Sequence, residues 1–181
     1  MERNYLLEAL RGLTEKPVKP RVFVSYHHDN DQWYYDRFNT LFSGVYDILT
    51  DRSVDRKILS DDPQYQRDVI RGKYITGTSI TIVLSGVESW KRKFIDWEIC
   101  ATLNKEHAVL GIVLPSNPLR ADNTYAVPDR LFDNLKTGFA YWIHWTVDPA
   151  ALQTAIGTAL LLSKNTASID NSRGTMQRNL A

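Results

Sequence analysis

Apolar positions along this chain follow two alternating rhythms. Short runs of β-forming residues recur at Val22-Phe23-Val24-Ser25-Tyr26, Val45-Tyr46-Asp47-Ile48-Leu49, Ser79 to Leu84, Ala108 to Leu114, and Phe139 to Trp145. Between them lie segments with helical spacing. Residues 4–13 place Tyr5, Leu6, Ala9, Leu10 and Leu13 on one face, before Pro17 and Pro20 break the pattern. Asp29, Asn30 and Asp31 offer N-caps for a helix in which Trp33, Tyr34, Arg37, Phe38, Leu41 and Phe42 recur, ended by Gly44. Asp62-Pro63 and Asp148-Pro149 each read as an N-cap followed by the first helical residue. The first opens a helix to about Ile75; the second opens one striped by Leu152, Ala155, Ile156, Ala159 and Leu160. A further helix spans about Phe94 to Glu106, and a short one Asp129 to Leu135. After Ser163 the chain is polar and aperiodic, which predicts a loosely attached tail.

Strands and helices in alternation, with nearly continuous apolar strands, predict an α/β fold with both sheet faces covered. The expected form is a doubly wound, flavodoxin-like, five-stranded parallel sheet in the order 2-1-3-4-5. The division is an N-terminal amphipathic helix and Pro-containing linker over 1–20, a domain over 21–163 and a polar tail over 164–181. In that strand order the ligand crevice opens between the first and third strands, near Ser25-Tyr26-His27 and Ser85-Gly86.

The helix from Phe94 carries an anomaly. At about 100° per residue, Phe94, Ile95, Ile99, Thr102 and Leu103 share one half of the helix, and Glu98 falls inside that arc. A carboxylate on a buried face must be paired, hydrogen-bonded or aimed at a cavity, and such groups often mark functional sites. The competing reading is an edge glutamate that reaches solvent or pairs with Arg92 or Lys93. Composition adds mainly exclusions. With 22 basic and 21 acidic residues the net charge is +1, which gives no electrostatic reason to expect nucleic acid. The single cysteine, Cys100, rules out a disulfide framework and suits a reducing compartment. No apolar run is long enough for a membrane helix and no signal-peptide core precedes the domain, so a cytoplasmic protein is expected.

Four blocks resemble a known family. They are Arg21-Val-Phe-Val-Ser-Tyr-His-His-Asp, Ser79-Ile-Thr-Ile-Val-Leu-Ser-Gly, Ser89-Trp-Lys-Arg-Lys-Phe-Ile-Asp-Trp-Glu-Ile and Ala108-Val-Leu-Gly-Ile-Val-Leu-Pro. In this order and spacing, over roughly 21–115, they resemble TIR-like domains. The nearest branch is that of MTH538-type TIR-like proteins, which includes the TIR protein of the Thoeris antiphage system. The resemblance implies a catalytic role for Glu98, NAD as substrate rather than resident cofactor, and cleavage of the nicotinamide–ribose bond. It also implies a cyclic ADP-ribose-type product sensed by a separate effector protein, and self-association through TIR surfaces.

Around Glu98, the residues expected to contact substrate are Ser25, Tyr26, His27, Asp29 and Ser85 at the crevice, with Asp47 reaching it from the end of the second strand. The bland alternative is that they cap helices, line loops and start turns. Trp90 and Trp97 are candidates for ring stacking or, equally, for core packing. His27-His28-Asp29 does not make a metal site, because adjacent residues of an extended segment point opposite ways. A Gly-x-Gly-x-x-Gly fingerprint and a nucleophile elbow are both missing. Two other functions share the fold: a non-catalytic TIR-like interaction or nucleotide-sensing module, and a phospho-acceptor receiver. The receiver would need a lysine where Trp145-Thr146 stands.

Overall fold

A computed structural model describes residues 20–50 and 75–181. The expected helix over 4–13, the polar stretch after Thr50 and all of the expected helix over 62–75 except Ile75 lie outside the described residues. The elements are β1 (Arg21–Ser25), α1 (His28–Phe42), β2 (Asp47–Thr50), β3 (Ile80–Ser85), α2 (Lys93–Leu103), β4 (Ala108–Val113), α3 (Asp129–Lys136), β5 (Tyr141–His144) and α4 (Pro149–Leu162). The five strands make one parallel sheet in the order β2-β1-β3-β4-β5, as the alternation predicts.

Side-chain alternation splits the core between the two sheet faces. Val22, Val24, Tyr26, Ile80, Ile82, Leu84, Leu110 and Ile112 face α1 and α4, against Tyr35, Phe38, Phe42, Leu152 and Ile156. The opposite row faces α2 and α3. There Val83 and Val109 meet Ile95, Ile99, Leu103 and Leu131. Beside them Phe23 meets Ile75, Trp97 and Ala101. Burial on both faces is why β3 and β4 read as nearly continuous apolar runs. Gly111 permits the tight approach of α3, since a Cβ there would lie 3.0 Å from Leu131 Cδ2.

Several boundaries differ from the sequence reading. The second strand begins at Asp47, because Val45 and Tyr46 still turn onto the end of α1 by donating to Phe42 O. The fifth strand is shorter than Phe139 to Trp145; Phe139 and Ala140 are buried outside it. The tail is not loose. Residues 169–180 run along the outer side of α2 and α3. Asn171 Nδ2 donates to Cys100 O at 3.2 Å, Met176 N to Asp96 Oδ2 at 2.8 Å, and Leu180 N to Lys91 O at 2.9 Å. A polar segment fixed by hydrogen bonds to distant partners leaves no hydrophobic period to read.

The α4 start follows the sequence reading. Asp148 Oδ1 accepts from Ala150 N at 2.9 Å and Pro149 opens the helix. Replacing Asp148 by Ala is expected to cost about 1 kcal/mol, read from the urea unfolding midpoint.

Candidate active site

Glu98 lies on the face of α2 that covers the sheet and is 6% exposed. Its level follows from one contact. Thr102 Oγ1 lies 2.6 Å from Thr81 Oγ1 in the first half of β3, and also donates to Glu98 O at 2.7 Å. Helix α2 leaves the carboxyl end of β3 and runs back along it, so Glu98 sits one turn, about 6 Å, nearer that end. Two strand residues span about the same distance, which brings Glu98 level with Val83. The sheet register puts Val83 beside Ser25 of β1. Glu98 therefore faces a row made by Ser25 and Val83, with Ser85 one step further toward the crevice.

Ser25 and Ser85 are 1% and 0% exposed, and neither hydroxyl has a hydrogen-bond partner among the described residues. They share the α2 side with Glu98. The other expected residues are dispersed. Tyr26 turns to the opposite face, where it stacks on Tyr35 with ring centroids 4.6 Å apart and donates to Gln32 Oε1. His27 is buried at the start of α1, with Nε2 3.8 Å from Asp29 Oδ2. The Asp29 side chain is 93% exposed and points into solvent. Asp47 is misplaced by the sequence reading: it begins β2 rather than ending it, and accepts from Arg21 Nε at 2.8 Å. That pair lies at the amino edge of the sheet, a strand length from the crevice. Trp97 is a core residue, 1% exposed, with Nε1 donating to Met176 O. Trp90 Nε1 donates to Val87 O in the turn after β3.

One crevice residue escaped the sequence reading. Asp31, expected as an N-cap rather than a substrate contact, is 0% exposed and continues the buried stripe Tyr35, Phe38 and Phe42. The expected stripe was rotated, and Trp33 is in fact 66% exposed. The i, i+4, i+7 spacing of Asp31 with Tyr35 and Phe38 was the available signal. Asp31 accepts from Ser89 Oγ at 3.2 Å and Ser116 Oγ at 3.4 Å, so it ties α1 to the loops after β3 and β4. A Cβ on Gly86 would lie 2.1 Å from Asp31 Oδ1, so any larger residue there would displace the Asp31 carboxylate. Burial pushes the Asp31 carboxyl up from 3.8 to about 6, against the pull of the Ser89 and Ser116 hydroxyls and a backbone contact at His27. Asn117 completes this collar, donating to Ser85 O and Ala126 O.

The family model described as "Thoeris protein ThsB, TIR-like domain" matches residues 23–118, more than half of the 181 residues. The chain belongs to this TIR-like family. A solved structure of the TIR domains of the activated Roq1 resistosome directly recognizing the pathogen effector XopQ is similar over 85% of this chain and 93% of that one, at 16% identity and a TM-score of 0.40. Among curated proteins no relative matches.

Among the described residues of this TIR-like domain, no group of three or more His, Cys, Asp or Glu side chains is arranged to hold a metal ion. No helix among them is long and apolar enough to cross a membrane. A cavity of about 380 Å³ lined by Val113, Tyr125, Phe132 and Trp142 lies on the β4–β5 flank, away from β1 and Ser25.

The Asp31 shift has a sign that can be tested. A carboxyl raised in the folded domain favours folding while protonated, so its contribution is full below about pH 4 and is lost as pH rises through about 6. Between pH 4 and 7 the wild type is expected to lose about 1–2 kcal/mol relative to Asp31→Asn, measured by urea unfolding of both proteins at each pH.

Proposed function

We propose that this TIR-like domain cleaves the nicotinamide–ribose bond of NAD, with Glu98 as the catalytic carboxylate. The observation that carries the reading is a buried glutamate on the side of the sheet where two buried serine hydroxyls, Ser25 at its level and Ser85 one step beyond, lie at the carboxyl ends of β1 and β3. That is the switch point of a doubly wound sheet, where such folds take ligands.

The chemistry asks little more of the chain. The bond from ribose C1′ to the pyridinium nitrogen breaks, and its electron pair neutralises the ring. Nicotinamide leaves without needing a proton, so the paired acid of ordinary glycosidases is dispensable. Positive charge develops on the ribose instead. A carboxylate in a site shielded from water stabilises that charge and accepts hydrogen bonds from the ribose hydroxyls. Ser25 and Ser85 add donors and acceptors on the same side. Water arriving at C1′ gives ADP-ribose. An atom of the same nucleotide arriving first gives a cyclic ADP-ribose-type signal, which a separate effector protein would read in antiphage defence. Self-association of TIR surfaces would complete the site.

Purified protein incubated with NAD is expected to release nicotinamide, followed by chromatography. Glu98→Gln, nearly isosteric, should lower kcat by roughly 10²–10³-fold while the unfolding midpoint stays in place. A wild type that stays inert at high concentration sinks the enzymatic reading and leaves the interaction or nucleotide-sensing module.

A further inference from the structure

The first turn of α2 has no side-chain cap of its own. Its N-cap residue is Arg92, whose side chain makes no capping hydrogen bond. The donor at Lys93 N is satisfied from 86 positions away, by Asn179 Oδ1 at 2.9 Å. The next residue extends the clasp, since Leu180 N donates to Lys91 O at 2.9 Å. One turn along, Met176 N donates to Asp96 Oδ2 at 2.8 Å and Met176 O accepts from Trp97 Nε1 at 2.7 Å. Further on, Arg130 donates to Asn171 Oδ1, Arg173 O and Gly174 O, and Asn171 also donates to Cys100 O. The 169–180 segment thus runs antiparallel to α2 and grips its outer side from Cys100 back to Lys91. Glu98 projects from the inner side of the same helix.

We infer that residues 169–180 are a positioning strap for the Glu98 helix, with Asn179 acting as the cap of its first turn. The inference rests on the proposed catalytic role of Glu98 and adds a determinant that lies outside the family-matched region, 23–118. The physical reason is leverage. Glu98 must stay level with Ser25, and an uncapped helix start frays within its first turn. Glu98 lies in the turn that follows, on the same helix. A strap bonded at Lys91, Lys93, Asp96 and Cys100 holds the helix against both sliding and fraying. The contacts are polar and partly exposed, so the strap can be loosened without opening the apolar core.

The test uses three full-length variants. Asn179→Ala removes the cap, Asn179→Asp keeps an acceptor and suits the helix N-terminus, and Leu180→Pro deletes the donor to Lys91 O. Amide exchange over residues 93–98, read by mass spectrometry, is expected to quicken about fivefold in Asn179→Ala, the weight of one lost cap. Leu180→Pro should quicken it similarly. In both, kcat for nicotinamide release should fall several-fold with KM unchanged and the urea midpoint lowered by no more than one cap's weight, and Asn179→Asp should restore exchange and kcat. Unchanged exchange in Asn179→Ala and Leu180→Pro overturns the inference. So does faster exchange with an unaltered kcat in an active enzyme, since the segment would then be structural only. A wild type that releases no nicotinamide counts against the catalytic reading instead, and exchange still decides whether the strap holds α2.

Discussion

The ion pair between Arg130 and Asp96 is the constraint on which the α2 side of this domain depends. Arg130 is 0% exposed, and its Nε donates to Asp96 Oδ1 at 2.8 Å. Withdrawing two charges from water costs several kcal/mol each unless the geometry is good and the remaining donors are matched. Here they are matched by Asn171, Arg173 and Gly174, all from the 169–180 segment. One guanidinium therefore joins α3, α2 and the strap, and none of the three can shift without leaving a charged donor unpaired. Removing either partner of such a pair costs about 3–5 kcal/mol, because the other charge stays buried. Asp96 also lies in the first turn of α2, where its charge meets the positive end of the helix.

Much of the fold was legible in the chain because it rests on local periodicity. Strand runs such as Ile80 to Leu84 are apolar at every position but Thr81, since each face meets a helix, and the alternation of strands with helices dictates a parallel sheet. Glu98 was legible for the same reason. A charged residue inside the Ile95, Ile99, Thr102 arc has a phase that can be computed. Asp31 was missed because the aromatics Trp33 and Tyr34 pulled the inferred phase of α1 the wrong way. The true stripe, Asp31 to Phe42, contains its own carboxylate. Asp47 was misplaced because Val45 and Tyr46 look like strand residues but complete the turn after α1. The strap was illegible in principle. Its bonds to Arg130 and α2 run from 41 positions apart, at Arg130 and Asn171, to 86, at Lys93 and Asn179, and beyond that at Lys91 and Leu180, and polar atoms matched one at a time leave no period.

The polar positions on the α2 side of the sheet sort into two kinds, and the difference bears on function. Thr81 is matched by Thr102, and that pair fixes the height of α2 on β3. One to two rows nearer the crevice, Ser25 and Ser85 are equally buried but have no hydrogen-bond partner among the described residues. A buried hydroxyl left unmatched costs about 1–3 kcal/mol, and apolar residues of similar size would avoid the cost. The cost therefore falls only on the rows that face Glu98, at the mouth of the switch point, and is absent from the row that seats the helix. A ligand bearing several hydroxyls, such as a ribose, would offset it on arrival. The same rows are bracketed by two polar ties, Asp31 holding the loops above and the strap holding α2 from outside. Both ties hold α2 and the loops at their places on the sheet, so the two serine hydroxyls stay on the Glu98 side without a match of their own among the described residues.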